Sequence, residues 1–322
     1  MVYIPLISTR KPRRDLEPRA GGGGGGGGGK GGGGGGGGGG GKGGGSSSGG
    51  KGGSSGGSSG SGSGGRSSSI SAGGTSKSAS TYSRGGGPVV TIPNGSPFAG
   101  RQQGGGSRDQ VYGTRYYGSG YPGVTGRGVA GRNFPFYFWP LTFGGVGAVG
   151  AHHYLDDDDE YGHPDNSSRP GGQQTLGNFT SNAGNSTFRL VADNSTTTSL
   201  LEEVNDKCSG NLDSGKTSQN ASTFDYNVSW APSPGEVVQY YRASSIALML
   251  VGYNNSAVWQ DDDSKADDPL PSWVDNNLLS CLNTTIGLAA PLIDDDNGSL
   301  QMPVPSMGVF GVVIAVWFMS LL

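Results

Sequence analysis

The residues best suited to metal chemistry are grouped in one short window. All three histidines, His152, His153 and His163, lie there with the acidic run 156–160 and with Asp165. Imidazole and carboxylate groups together bind divalent metals. Their spacing is not that of a closed four-ligand site, and the stretch is rich in turn-forming residues. We therefore expect a solvated acidic linker and no bound metal.

A literal GxGxxG pattern occupies residues 145–150. Such a loop binds a dinucleotide only when a strand precedes it and a helix follows it. Here a proline-interrupted aromatic run precedes the pattern and the acidic linker follows it, so we interpret the match as chance in a chain with 67 glycines. No cofactor is predicted.

Catalytic patterns are missing from the sequence after residue 163, where no histidine occurs. Ser-His-Asp and Cys-His arrangements are thereby excluded from that part, which also has neither an HExxH nor a GxSxG pattern. A hydrolase that uses two carboxylates stays open, although no pair is singled out. We predict a protein without enzymatic activity.

The only two cysteines, Cys208 and Cys281, predict a disulfide bond. In an oxidising compartment the bond would close a loop of about 70 residues and would stabilise the fold by roughly 4 kcal/mol on the chain-entropy model. A pair of buried free thiols is the alternative.

Acceptor sites for N-linked glycosylation are frequent in the chain. Each Asn-x-Ser/Thr match is a weak signal, but together they are typical of an exposed domain that enters the secretory route. The sites are Asn94, Asn166, Asn178, Asn185, Asn194, Asn220, Asn227, Asn254, Asn283 and Asn297.

The apolar run 307–322 at the end of the chain resembles part of a glycosylphosphatidylinositol (GPI) attachment signal. As a helix it would extend about 24 Å, short of the roughly 30 Å hydrocarbon core of a bilayer. Asn297, Gly298 and Ser299 are small residues that an uncharged spacer separates from this run. We predict lipid attachment at Asn297, which excludes its use as a sequon. A retained membrane helix and a buried C-terminal helix are the alternatives.

A secretory leader is not recognisable, because the only apolar run near the start, residues 2–7, is too short and contains a proline. The internal alternative is the apolar segment 134–151, with Arg127 and Arg132 before it and acidic residues after it. That charge order fits a signal anchor. Two prolines and four glycines make the segment a poor helix.

The two halves of the 322-residue chain differ in composition and in the sign of their net charge. Residues 1–155 carry a net charge of +13 and residues 156–322 a net charge of −16, and a hydrophobic fraction of 32% allows one small core. The predicted segments are a basic start (1–20), a disordered Gly/Ser-rich arm (21–87), an unfolded Arg/Tyr/Gly-rich segment (88–133), the apolar segment (134–151), the acidic linker (152–172), a globular domain (173–293) and the tail (294–322).

The globular domain shows the periodicity of strands and helices. Residues 186–193 and 246–251 predict strands, and we expect residues 257–260 to pair beside the second. Residues 196–210 predict a helix with a Thr or Ser cap, and 271–286 predict another. The buried face of the second helix would carry Trp273, Leu278, Leu279 and Leu282. This order predicts a small two-layer α+β sandwich.

Four stretches carry a resemblance to a known group. They are PFAGRQQGGGSRDQVYGTRYYGSGYPG, GRNFPFYFWP, DNSSRPGG and VQYYRASSIALMLVGYNNSA. Together they resemble uncharacterised Gly/Ser-rich predicted surface proteins of filamentous fungi, over about residues 85–293. The resemblance implies a location at the cell surface and no particular chemistry.

The sequence therefore predicts a cell-surface or cell-wall glycoprotein with a structural or adhesive role, anchored to the plasma membrane by its C-terminus. Its basic arm would contact anionic wall polymers or polysaccharide, with Tyr112, Tyr116, Tyr117 and Tyr121 stacking on sugars or pairing with arginines such as Arg115 and Arg127. No specific nucleic acid is expected. An intracellular RNA-associated low-complexity protein and an integral membrane protein are the alternatives.

Overall fold

Short strands and helices alternate with long loops along the chain. The computed structural model describes residues 65–72, 75–124, 126–144, 155, 158–228, 231–260 and 265–294. In chain order its elements are β1 (Ser67–Ala72), β2 (Thr75–Ser80), β3 (Val90–Thr91), β4 (Gln102–Gln103), α1 (Asp158–Tyr161), β5 (Gln174–Thr180), β6 (Thr187–Asp193), α2 (Asn194–Lys207), β7 (Ser222–Thr223), β8 (Val237–Tyr241), β9 (Ile246–Leu250), α3 (Asn276–Ala289) and β10 (Leu292–Ile293).

The main sheet is antiparallel and has the strand order β7-β5-β6-β9-β8. All five residues of β9 are buried, as expected of an uninterrupted apolar strand with neighbours on both sides. Its register places Leu250 opposite Phe188 and Ala247 opposite Val191 on β6. The predicted strands at 186–193 and 246–251 are confirmed to within one residue.

The helices α2 and α3 contact each other, and α2 also contacts β5 and β6. Each is preceded by an aspartate whose side chain accepts a hydrogen bond from a backbone N–H of the first turn, which would otherwise lack a partner. Asp193 accepts from Thr196 N at 3.0 Å, and Asp275 accepts from Leu278 N at 3.1 Å. A mostly antiparallel sheet with a few helices confirms the α+β class in its general form.

Three local predictions are wrong. Helix α2 is capped by Asp193 rather than by a Thr or Ser, and it ends at Lys207. Residues 257–260 do not form a strand, because Ser256–Trp259 is a short 3-10 helix. Trp273 lies before α3 and is 42% exposed, so it is not part of the buried face.

The segment before residue 134 is folded wherever it is described, which corrects the predicted coil. Strands β1 and β2 form a hairpin that pairs with β10, and Ile70 and Ala79 are buried there. Further along, Val111, Tyr117 and Val129 are buried in the same core as β6 and β9. The predictions for 21–87 and 88–133 are therefore wrong for the described residues from 65 onward, and residues 1–64 lie outside the described part.

The apolar segment 134–151 packs inside the protein in its described part. The buried side chains are Phe134, Phe136, Tyr137, Phe138, Leu141 and Phe143. They belong to the same hydrophobic core as the main sheet, which is the reason for their apolar character. The signal-anchor interpretation is therefore wrong for residues 134–144, while residues 145–151, with the GxGxxG pattern, lie outside the described part.

The acidic linker 152–172 is packed in its second half and is not a solvated connection there. Tyr161 at the end of α1 is buried, and its hydroxyl donates to Val129 O at 2.8 Å. Arg169 is also buried, and its guanidinium donates to the carbonyls of Pro140 and Tyr161. These contacts attach the linker to the segment that precedes it.

Candidate functional site

Arginines and aromatic rings hold the segment 88–133 together. Arg101 lies over three rings, with its guanidinium carbon 4.5 Å from the Phe134 centroid, 5.1 Å from Phe98 and 5.5 Å from Tyr161. It also forms an ion pair with Glu160 of α1. Cation–π contacts of this kind are strongest where the cation is removed from water. Arg101 therefore acts as a packing centre of the folded segment.

The predicted pairing of tyrosines with arginines is found, although with partly different partners. Arg127 lies 4.6 Å from the Tyr116 centroid, as expected, whereas Arg115 lies 5.9 Å from Tyr253. Tyr117 and Tyr121 are buried. These two rings are therefore not available to stack on external sugars.

Arg108 closes the C-terminal end of α3, a role that the sequence did not indicate. Its guanidinium donates to Ala290 O and to Ser83 O, both at 2.7 Å, and to Gly287 O at 3.2 Å. A cation is favourable at this end of a helix, where carbonyl groups lack helical partners. Burial lowers the pKa of Arg108 to about 10.

A groove of about 540 Å³, the glycine groove, runs along the surface formed by residues 102–135. Residues that line it include Gln102, Gly105, Tyr121, Arg132, Asn133 and Phe134. Gly106 also lines the groove, and a Cβ atom there would lie 2.6 Å from both Pro135 O and the Phe136 ring. Glycine is thus required for the close approach of two backbone segments under the groove.

The lining of the glycine groove offers amide and guanidinium groups beside apolar surface. Arg132 lies 5.2 Å from the Tyr121 centroid and donates to Gly118 O at 2.9 Å, while Asn133 Oδ1 accepts from Gln102 N at 3.0 Å. No carboxylate or imidazole occurs among the described residues that line it. The groove can bind polar molecules by hydrogen bonds, and its lining supplies no acid–base pair.

The turn between β8 and β9 contains a buried arginine that sequence reasoning also missed. Arg242 Nη2 donates to Asp193 Oδ2 at 2.7 Å, Nη1 donates to Pro291 O at 2.8 Å and Nε donates to Ser245 Oγ at 2.8 Å. Its guanidinium carbon lies 3.4 Å from the Phe138 centroid. Burial lowers the pKa of Arg242 to about 10. The side chain joins four parts of the chain.

The backbone of this turn is strained. Arg242, Ala243 and Ser244 have φ angles of 49°, 50° and 62°, in the left-handed region that non-glycine residues seldom adopt. Ser244 Oγ accepts from Gly118 N at 2.9 Å, and Ser244 O accepts from Leu141 N at 2.8 Å. These tertiary contacts hold the strained backbone in place.

Cys208 and Cys281 form the predicted disulfide bond, with their Cα atoms 5.9 Å apart. Cys208 follows the last residue of α2, and Cys281 lies within α3. The bond therefore links the two helices across their mutual contact. Cys208 is buried, so the bond is shielded on that side.

The predicted glycosylation sites lie on the surface wherever they are described. Asn94, Asn185, Asn194, Asn220, Asn227 and Asn254 are exposed. Asn166, Asn178 and Asn283 are half-buried, and none of the nine is buried. Asn297, the predicted lipid-attachment residue, lies outside the described part together with the tail.

The described structure does not bring together the histidines and carboxylates of the window 152–165. His163 is exposed, and its ring stacks on Tyr226 with centroids 5.6 Å apart. His152 and His153 lie outside the described part. Among the described residues, no group of three or more His, Cys, Asp or Glu side chains could hold a metal ion, and none of the helices there is long and apolar enough to cross a membrane.

Comparisons with protein-family models, with curated proteins and with solved structures find no match to this chain. The fold and the sites described above therefore carry the functional argument alone.

Proposed function

We propose that this protein is an exported glycoprotein of the cell surface or cell wall, with a structural or adhesive role and a C-terminal lipid anchor. The observation that carries the proposal is the disulfide bond between Cys208 and Cys281. Structural disulfides form and persist in oxidising environments and are rare in the cytosol. A protein stabilised in this way belongs to the secretory route.

The placement of the sequons supports the same compartment. An attached oligosaccharide is bulky and hydrophilic, so the asparagine that carries it must lie at the surface of the folded protein. All nine described sequons satisfy this condition, including five exposed sites in the C-terminal half, at Asn185, Asn194, Asn220, Asn227 and Asn254.

An adhesive role rests on the glycine groove. Amide side chains such as Gln102 and Asn133 match the hydroxyl groups of a sugar. Pyranose rings also bury their C–H faces on apolar surface, which the exposed side chains of Val89 and Val124 supply here. A neutral wall polysaccharide fits this lining.

The contacts of the arginines weigh against the RNA-associated alternative. In RNA-binding low-complexity segments, Arg side chains must be free to contact phosphates and bases. Here Arg101, Arg108, Arg115, Arg127 and Arg132 all donate hydrogen bonds within the protein. Their charge is used to fold the segment.

Expression of the full chain in a eukaryotic secretory host tests the proposal. We expect surface display, a mass decrease on treatment with a peptide N-glycosidase, and one linked peptide pair containing Cys208 and Cys281 on non-reducing mapping. A phosphatidylinositol-specific phospholipase should release the protein. Surface protein with two alkylated thiols and no glycan would contradict the proposal.

Binding to wall polysaccharide is tested separately. The Gln102→Ala variant should be retained less by insoluble fungal wall glucan or chitin than the unchanged protein, because one groove amide is lost. Gln260→Ala removes an exposed amide outside the groove and serves as the matched control. Equal retention of both variants and of the unchanged protein would exclude the groove as the binding site.

A further inference from the structure

A second groove lies beside the predicted glycosylation site Asn283. It has a volume of about 580 Å³, within the range of roughly 300–1,000 Å³ that is usual for ligand clefts. Helix α3 forms one wall with Leu279 and Asn283, and the other residues that line it include Thr114, Gln239, Asp267 and Leu270. We call it the Asn283 groove.

The amide of Asn283 is held in one orientation. Its Oδ1 accepts a hydrogen bond from the Tyr241 hydroxyl at 2.8 Å. Burial raises the pKa of Tyr241 well above its usual value, so this hydroxyl keeps its proton and remains a donor. N-linked sugars are attached to Nδ2, and the bond to Oδ1 fixes the direction in which Nδ2 faces.

Helix geometry directs this side chain along the groove. Leu279 and Asn283 are four residues apart on α3 and therefore lie one above the other on the same face. Side chains of a helix lean toward its N-terminus, so Asn283 leans over Leu279. A sugar attached to Nδ2 would begin at the lip of the groove.

We propose that the Asn283 groove binds the oligosaccharide attached to Asn283 itself. The first sugar residues then pack on the protein instead of extending into solvent. This inference rests on the proposed function, because it requires a glycosylated chain. It adds that one glycan is a structural part of the fold.

The lining of the Asn283 groove has the mixed character that a sugar requires. Leu270 and Leu279 are half-buried and offer apolar surface for the C–H face of an N-acetylglucosamine ring. Thr114 and Asp267 supply polar groups around it, and Asp267 Oδ1 already accepts from Asn255 Nδ2 at 2.6 Å. The carboxylate is thereby held in position beside the groove.

The other sites lack this setting. Of the two other half-buried sites, Asn166 accepts a hydrogen bond from Ser168 N at 2.9 Å and Asn178 lies on β5, and neither lines a described groove. Asn185 lies exposed between β5 and β6. Their glycans would extend into water. Asn283 is thus distinguished from them by its position and not by its sequon.

The experiment measures how fast a peptide N-glycosidase removes each glycan from the native, full-length glycoprotein. Cleavage in H₂¹⁸O marks every released site as labelled Asp, so that peptide mapping gives one rate per asparagine. We expect the glycan at Asn283 to be cleaved at least about tenfold more slowly than those at Asn185, Asn220 and Asn227. The enzyme can reach it only in the fraction of molecules in which the glycan has left the groove. After denaturation the rates should become similar.

Two variants distinguish a glycan bound in the groove from one that the enzyme reaches slowly because neighbouring residues block access. Leu270→Asp places a charge in the groove and leaves the sequon intact, so cleavage at Asn283 should approach the rate of the exposed sites. Leu288→Asp introduces the same charge at an exposed position of α3 outside the groove and should leave the slow rate unchanged.

Each outcome decides between the two proposals. Two results would contradict glycan binding in the Asn283 groove and leave the proposed function intact. One is glycans at the other sites with none at Asn283, and the other is equal cleavage rates at all sites in the native protein. Slow cleavage at Asn283 that Leu270→Asp does not change would also contradict binding in the groove. A chain without any glycan would overturn both.

Discussion

Arg242 and Asp193 form a buried ion pair, with Nη2 and Oδ2 2.7 Å apart, that joins the turn after β8 to the first turn of α2. Asp193 simultaneously caps α2 by accepting from Thr196 N, and Arg242 also holds Pro291 O beside β10. Two sheets and a helix therefore meet at one pair of side chains. Buried charges of this kind are tolerated only when their hydrogen bonds are satisfied.

Removal of the arginine should strongly destabilise the protein. Arg242→Met leaves the Asp193 carboxylate buried without its cation, and we expect a loss of about 3–5 kcal/mol in the free energy of unfolding, measured by urea denaturation. Lys216→Met breaks an exposed, solvent-screened ion pair with Asp213 and should leave the stability almost unchanged. Comparable effects of the two substitutions would show that the buried pair has no special role.

Loss of the disulfide should also be costly. The double substitution of Cys208 and Cys281 by serine opens a loop with a sequence separation of 73 residues, and the expected loss is about 4 kcal/mol. Chemical reduction of the unchanged protein should lower its free energy of unfolding by a similar amount and shift its denaturation midpoint to a lower urea concentration. An unchanged midpoint under reducing conditions would contradict this expectation.

The close packing of the segment 88–133 can be tested with a single methyl group. Gly106→Ala would place its Cβ 2.6 Å from Pro135 O, and we expect a loss of about 1–3 kcal/mol from the strain. Gly210→Ala is the matched control, since no atom lies within 4 Å of the new Cβ. It should be neutral or stabilising by up to about 1 kcal/mol. If both variants were neutral, this segment would not be packed as described.

Local patterns explain which parts of the fold the sequence predicts. The strand at 246–251 is an uninterrupted apolar run, and the two main helices have periodic apolar residues and a polar residue before them, so neighbouring residues are enough to define them. The α2 cap was misassigned because Asp193, Ser195 and Thr196 all have side chains suited to that position. Only the tertiary contact with Arg242 singles out the aspartate.

The segment 65–144 could not be predicted because distant partners stabilise it. Tyr112 pairs with Tyr241 through a β-bridge, and Arg108 reaches Ala290, 182 residues away. Neither contact leaves a period of 2 or 3.6 in the sequence. A glycine-rich composition is typical of flexible coil, and here the entropy cost of ordering it is offset by burial of rings such as Tyr117 and Phe134.

For the candidate sites as well, features defined by local patterns are predictable and features built from distant residues are not. The disulfide follows from the number of cysteines, and the sequons follow from a three-residue pattern, so both were accessible to sequence reasoning. The glycine groove, the Asn283 groove and the role of Arg242 arise from residues far apart in the chain. The sequence signal closest to the last of these is the short stretch 242–245, which contains an arginine and two serines between two apolar strands. Such a stretch is typical of a turn and says nothing of burial.

The acid sensitivity of the fold should depend on Asp275, which caps α3. A hydrogen bond from the Ser181 hydroxyl at 2.5 Å, together with bonds from Leu278 N and Asn277 N, holds the pKa of Asp275 below its usual value of 3.8. The unfolded chain therefore takes up this proton first as the pH falls. The stabilisation is complete above the ordinary pKa of 3.8 and is lost as the pH drops through the lower pKa of the folded state.

Asp275→Asn keeps a cap acceptor but has no carboxyl proton to bind, so its free energy of unfolding should decline less steeply with acid below about pH 4 than that of the unchanged protein. Asp275→Ala should in addition lose about 1 kcal/mol near neutral pH, because two N–H groups of α3 lose their acceptor. Ser181→Ala removes the strongest donor to the carboxylate. Its free energy of unfolding should therefore also decline less steeply with acid, although the effect should be smaller than that of Asp275→Asn. Urea denaturation at a series of pH values measures all three. If the curve of Asp275→Asn ran parallel to that of the unchanged protein, the acid sensitivity would have to arise from other carboxylates.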